Sequence, residues 1–475
     1  MSPATKTLVL AAGVLTAIAW VRPPEYDEAY SIFLTAGHAR PGWPAGVFTA
    51  GGGRGLYAGH ASFAGIAQDL RAGDVHPPLY FWLLEIWRGV FGPGWFTARL
   101  LSVGCGVAAL AVLGRLARVI GAPAGATMGL CLCSYGFAYT AIIARGFGLA
   151  QFFLLLGVTA CFESLRGGRS GVAPAVAGLA LGAATFTNYL TVFCGLTALG
   201  QLALTSPKRG IPALLTFSLF LPADGYFFVA QHAARPGQFV RFSLTHALAL
   251  TTRDAAAAWF GGLTLDAPQF AAGIICLLVL LACATVFCIV RNANRSTKPL
   301  AALTLATPAG LLALGLIFNN TPVEIRYMAF SLPYLSLLIA ASAPRALQAA
   351  LIGVQSLAII GLAFSPATAQ PQARAARQAA GLATPQTLVL LPFGNDGVGI
   401  PGPFIAAAPR AMRLEILRGP PVDLTRESRL ILVTLTLDDS SRAQVAGFGP
   451  GPCWQAGAKT RLTEIFLNRC PQQQR

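Results

Sequence analysis

Eleven apolar stretches, each about as long as the hydrocarbon core of a bilayer is thick, constrain this chain more than any other feature. They fall at about 7–21, 99–118, 122–140, 147–165, 172–187, 188–205, 211–230, 270–290, 299–317, 325–343 and 346–364. A spanning strand needs only about ten residues of alternating polarity, whereas these runs are apolar on every face, so each reads as a helix and a β-barrel is excluded. Of the 475 residues 55% are hydrophobic and only 11% are charged, too few polar groups to clothe a water-soluble globule. The charges lie between the runs, where they mark loops and functional positions.

A net charge of +16 raises the question of nucleic acid, but the basic residues are dispersed among the spans and build no surface of interleaved basic and aromatic side chains. The reading is therefore of no nucleic acid and of a membrane lipid partner. Arg115 with Arg118, Arg166 with Arg169, Lys208 with Arg209, and Arg291 with Arg295 and Lys298 fit cytoplasmic loops. That assignment puts the loops 22–76, 231–269 and 318–325 and the tail beyond 364 on the opposite side, provided the segment 77–91 does not cross fully. This segment is short and carries Glu85 and Arg88, so it spans or lies in the interface with Trp82 and Trp87 at headgroup depth. The count of spans is accordingly about 11 to 13, and the first run reads as a retained anchor rather than a cleaved signal peptide.

Eight cysteines lie in apolar runs, where a thiol packs as a small hydrophobe, and Cys131 with Cys133 makes CxC rather than a metal-binding CxxC. Cys453 and Cys470 sit in the polar tail and could be bridged in an oxidising compartment. From about residue 370 the composition shifts to Gln, Arg, Pro and Ala, followed by short strand-like runs at 387–391 and 430–435. The expected organisation is a membrane domain over 1–365 with a long first external loop at 22–76, and a small soluble α/β domain over 366–475. Asp438 and Asp439 in that tail read as an exposed polar turn.

The candidate chemistry lies in the first loop, which opens RPPEYDEAYS and closes GDVHPPLYFW. Glu25, Asp27 and Glu28 follow the first span directly, and Asp74 and His76 precede the next apolar segment. A transferase acting on a hydroxyl needs an ionised carboxylate to take the proton, because an alcohol is a poor nucleophile while it keeps it. Asp27 is the first choice as that base, with Glu28 beside it. Arg145 in AYTAIIARGFGLA and Arg326 in NNTPVEIRYMAF stand at the ends of spans opposite the basic clusters. A guanidinium there can hold a phosphate in bidentate fashion and stay charged in a partly dry site.

In this order the pieces resemble the multi-spanning glycosyltransferases that use polyprenyl-phosphate sugars, the GT-C superfamily of protein O-mannosyltransferases and lipid A aminoarabinose transferases. The resemblance rests on Asp27-Glu28 opening the first loop, GDVHPPLYFWLLEIWRGVFG followed by FTARLLSV, Arg145, and Arg326-Tyr327 starting a late span, and it covers residues 1 to about 365. Ala144 stands where many relatives have an acid, and Asn188-Tyr189 replaces a frequent histidine and tyrosine pair. The resemblance implies an all-α polytopic GT-C fold and a hexosyl- or pentosyltransferase that displaces the lipid phosphate at the anomeric carbon with inversion. It implies catalytic Asp27 and Glu28, and substrate binding by Asp74, His76, Arg145, Arg326 and Tyr327. The implied partners are a polyprenyl-phosphate-linked sugar and an acceptor that is a lipid, a glycan or a protein. No cofactor is certain, although a divalent metal ion could assist.

The implied location is a bacterial-type cytoplasmic (inner) membrane with the active face external. Gly51, Gly52 and Gly53 lack the strand, helix and GK[ST] ending of a phosphate loop, so a nucleotide sugar is the lesser donor. A polytopic transporter or lipid flippase is the competing class, and it would be expected to show two related halves with broken helices near mid-membrane.

Overall fold

The computed structural model describes residues 3–38, 42–166, 171–232, 239–294, 297–419, 424, 427–449 and 451–469; Arg169, Arg295 and Cys470 lie outside them. Within these bounds the chain gathers into two compact units that do not follow chain order. A helical unit comprises 1–22, 67–83 and 99–368, and a sheet unit comprises 23–66, 84–98 and 369–475. Residues 23–66 of the first loop thus belong to the same unit as the tail, while its last ten residues, 67–76, belong to the helical unit.

The polytopic all-α membrane fold expected from the apolar runs is present. Among the described residues six helices are long and apolar enough to cross a membrane: Ala4–Val21, Trp95–Ile120, Phe147–Leu165, Pro268–Arg291, Thr297–Phe318 and Arg345–Phe364. A seventh crossing is made if Pro207–Ser218 and Leu221–Gln231, bent by 47°, count as one span. Four shorter apolar helices accompany them, Ala124–Cys133, Ala173–Thr185, Tyr189–Thr205 and Leu332–Ser342. Several continuous apolar stretches are broken in their backbone. The stretch at 122–140 divides at Ser134, which has extended dihedrals, and the stretch at 325–343 opens as a 3-10 helix over Ile325–Phe330. Hydropathy records only side chains, so it passes over such breaks. The segment read as the loop 231–269 instead contains the helix Leu244–Phe260. The segment 77–91 forms a 13-residue helix, Leu79–Phe91, too short to cross a hydrocarbon core at about 1.5 Å per residue.

Helices in the helical unit close up through small residues, as lipid-exposed bundles do. A Cβ on Gly178 would come within 2.0 Å of the Ala213 carbonyl oxygen, so only glycine lets Ala173–Thr185 meet Pro207–Ser218 there. Two buried arginines hold helix ends. Arg99 Nη1 donates to the carbonyls of Ala19 (2.7 Å) and Arg22 (2.6 Å), and Arg22 donates to Leu362 (2.6 Å) and Thr368 (2.9 Å). Each cation satisfies carbonyls that a helix C-terminus leaves without intrahelical partners.

The sheet unit is built on strands β1 (Phe48–Thr49), β2 (Leu388–Pro392), β3 (Arg413–Leu417), β4 (Arg429–Val433), β5 (Trp454–Lys459) and β6 (Thr463–Asn468), in the order β1-β3-β2-β4-β6-β5. β2 lies parallel to both β3 and β4, and the outer pairs are antiparallel. Leu388, Leu390, Leu417, Leu430, Leu432 and Phe466 form one buried cluster on it. The strand-like runs at 387–391 and 430–435 are therefore β2 and β4, and the small α/β domain is present. Cys453 is disulfide-bonded, while the other eight described cysteines are free thiols.

The first loop is ordered by Arg88, which is fully buried in the sheet unit. Its guanidinium donates to Thr35 Oγ1 at 2.6 Å, to the Ile32 carbonyl at 3.4 Å and to the Tyr57 carbonyl, and lies 3.8 Å from Glu85. Burial lowers its pKa and Glu85 opposes that shift. A lysine reaches one of these diverging acceptors but not all of them. Arg88→Lys is therefore expected to destabilise the sheet unit by about 2 kcal/mol, the worth of one charged hydrogen bond, read as a lowered unfolding midpoint.

Candidate active site

Asp74 and His76 sit just beyond the helix Phe63–Gly73, and Arg145 follows the break after the helix Tyr135–Ile142. The structure brings all three together in the helical unit. Asp74 is completely buried and Arg145 is 4% exposed. Arg145 Nη2 donates to Asp74 Oδ2 at 3.0 Å and to Oδ1 at 3.2 Å, and the Val75 amide donates to Oδ1 at 2.6 Å. His76 Nδ1 lies 3.0 Å from Asp74 Oδ1 and 3.1 Å from Arg145 Nη2. The carboxylate calls for a proton on this nitrogen and the guanidinium for its lone pair, so Nδ1 can hydrogen-bond only one of the two at a time. The guanidinium also lies 5.3 Å from the Phe81 ring centroid, and the Ser102 hydroxyl donates to the Arg145 carbonyl at 3.5 Å.

His76 lines a cavity of about 200 Å3 with Asn188, Tyr189, Gln231, Asn320 and Tyr327. Gln231 ties its wall together. Its Nε2 donates to the carbonyls of Leu70 (3.1 Å) and His76 (2.9 Å), and its Oε1 accepts from the Tyr189 hydroxyl at 2.9 Å. Asn188 Oδ1 accepts from the Leu190 amide at 3.1 Å. Asn320 Oδ1 is buried without a hydrogen bond, and Asn320 lines the same cavity. Gln231 escaped the sequence reading because it stands at the end of an apolar run, where a lone amide resembles the start of a loop. Asp224, whose Oδ2 accepts from Thr185 Oγ1 at 2.7 Å, was hidden inside the same run.

Arg326 is in the 3-10 helix Ile325–Phe330, paired with Glu324 and 5.6 Å from the centroid of the Tyr327 ring. Tyr327 is buried and faces the same cavity as His76.

Asp27 and Glu28 belong to the sheet unit. They open the helix Tyr26–Thr35, where Asp27 is 6% exposed and Glu28 is fully buried. Glu28 closes a capping box, its Oε2 accepting from the Glu25 amide at 3.1 Å. That contact gives Glu28 a structural duty at the helix start. Among the described residues no group of three or more His, Cys, Asp or Glu side chains is placed to hold a metal ion.

No sequence profile of a known family matches the chain, and no curated protein matches it. Solved structures do. ArnT from Cupriavidus metallidurans, crystallised bound to undecaprenyl phosphate, superposes with a TM-score of 0.52 at 13% identity, over 97% of this chain and 97% of that one. The arabinofuranosyltransferase AftD from Mycobacteria covers 100% of this chain with 42% of its own, at 15% identity and a TM-score of 0.47. The ArnT match extends over nearly the whole of both chains and shows that the fold is the GT-C fold.

Proposed function

We propose that this multi-pass membrane protein is a glycosyltransferase that moves a sugar from a polyprenyl phosphate to an acceptor hydroxyl. The observation that carries the reading is the Asp74-Arg145-His76 cluster, whose His76 lines a cavity together with amide and phenol groups, in a chain with the ArnT fold. A sugar offers hydroxyls to Asn320, Gln231, Asn188 and Tyr189, and Asp74 with Arg145 fixes His76 against them. Arg326, beside Tyr327, is the proposed contact for the donor phosphate, exchanging its Glu324 partner for the headgroup. The acceptor oxygen bonds to the anomeric carbon as the bond from that carbon to the phosphate oxygen breaks. The lipid phosphate leaves with the electron pair, and Asp27 takes the acceptor proton. Little general-acid help is needed, because a phosphate leaves readily once its charge is stabilised. Under the charge bias of the loops this chemistry belongs to the external face of a bacterial-type inner membrane.

The test is incubation of the purified protein with a panel of polyprenyl-phosphate hexoses and pentoses, reading which donor loses its sugar. Discharge of at least one is expected, and discharge of none would refute the reading. With that donor varied at saturating acceptor, Arg326→Lys should need a higher donor concentration and Arg326→Ala higher still, because lysine keeps the charge but loses the planar fork. Donor use by Arg326→Ala equal to that of the parent moves phosphate recognition to Arg145.

A further inference from the structure

The sheet unit holds a second cavity, of about 390 Å3, inside the roughly 300–1,000 Å3 range of small-molecule sites. It lies beyond the carboxyl ends of β2 and β4, lined by the segment after each strand. The chain passes from β2 to β3 on one side and returns across β2 to β4 on the other, so this crevice is the switch point of the parallel strands. Ligands of open α/β sheets collect there.

The lining is rich in hydrogen-bond acceptors. Asp396 accepts from the Tyr26 hydroxyl (2.7 Å) and from the amides of Val398 (2.8 Å) and Gly399 (3.1 Å). Asp438, expected in an exposed turn, instead caps the helix Asp439–Ala446 by accepting from the Ser441 amide at 2.7 Å, and also accepts from the Asn395 amide at 3.1 Å. Gly394 adopts φ +72°, and a Cβ there would meet Asp438 Oδ2 at 2.9 Å, so the loop closes on the carboxylate only with glycine. Gln372 donates from Nε2 to the Gly399 carbonyl at 2.7 Å. Its Oε1 is buried with no hydrogen bond, in a side chain only 2% exposed. A buried acceptor left unsatisfied is costly, and a donor supplied by a ligand removes that cost.

The charge narrows the ligand class. The chain carries 34 basic against 18 acidic residues, yet no Lys, Arg or His lines this cavity and two carboxylates do. Phosphates and other anions are thereby disfavoured. Pro371, Ile400 and Leu437 add apolar surface beside the acceptors. A ring with a C–H face and a rim of hydroxyl donors matches both.

We infer that this cavity binds a neutral saccharide, the glycan part of the acceptor; the acceptor role rests on the transferase reading, while the saccharide assignment stands on the contacts above. The test uses the full chain in lipid nanodiscs, without glycosidic detergent, titrated with mannose, galactose and N-acetylglucosamine and followed by saturation-transfer NMR. Saturable binding of at least one sugar is expected, undisturbed by inorganic phosphate. Gln372→Met and Asn395→Ala should each weaken it by roughly tenfold. Asn395 is exposed, so its variant keeps the test decisive if Gln372→Met fails to fold. Absence of saturable binding, displacement by phosphate, or parental affinity in Asn395→Ala and in any folded Gln372→Met overturns the site. A protein that binds saccharide but discharges no donor keeps the site and refutes the transferase, and the converse result separates them the other way.

Discussion

Asp27→Asn is expected to lower sugar transfer by roughly a hundredfold or more while the protein stays folded. The substitution keeps size and hydrogen-bonding capacity and removes only the charge that a hydroxyl nucleophile requires. The position suits an ionised group, since it lies in the first turn of Tyr26–Thr35, where the helix dipole favours a negative charge. Glu28, the other candidate, is occupied in the capping box with Glu25. Its replacement by Ala, which removes the capping acceptor, should therefore act first on stability, by about 1 kcal/mol, and less on turnover. Initial rates of donor discharge, compared with unfolding midpoints for both variants, separate the two roles. Near-parental turnover by a folded Asp27→Asn protein would pass the role of base to Glu28 or Asp74.

The contrast between these two carboxylates shows what the sequence could convey. The acidic pair stood out because only 11% of the chain is charged and these residues lie at the edge of an apolar run, but which member caps the helix depends on backbone geometry around Glu25. Asp74, His76 and Arg145 were each conspicuous for the same reason. Their meeting was not legible, since it joins residues 71 positions apart across breaks that hydropathy does not register. The cavity wall was harder still. Gln231 reaches the carbonyl of His76 from 155 residues away, and Asn188-Tyr189, read as a departure from a family pattern, turns out to line the same space. In the sheet unit, β2 and β4 announced themselves as short apolar runs. β1 could not, because two residues, Phe48 and Thr49, carry no periodicity and become a strand only by pairing with Leu414 and Arg413.

The Asp74 and Arg145 pair yields a second large expected effect, in which stability and activity part company. Removing either charge strands the other in a buried site, and breaking a buried ion pair in this way costs about 3–5 kcal/mol. Asp74→Asn and Arg145→Met should each lower the unfolding midpoint steeply. The double variant removes both charges, so it should recover more than half of the single-variant loss, as expected when a buried pair repays little more than its desolvation. Turnover should not recover with it. His76 Nδ1 is positioned by contacts at 3.0 Å and 3.1 Å to these two partners, and neither replacement restores both. Unfolding midpoints and donor discharge for the parent, the two single variants and the double variant decide the matter. Parental midpoints in both single variants would show that the pair is not a stabilising contact, and full turnover in the double variant would show that His76 needs no such orientation.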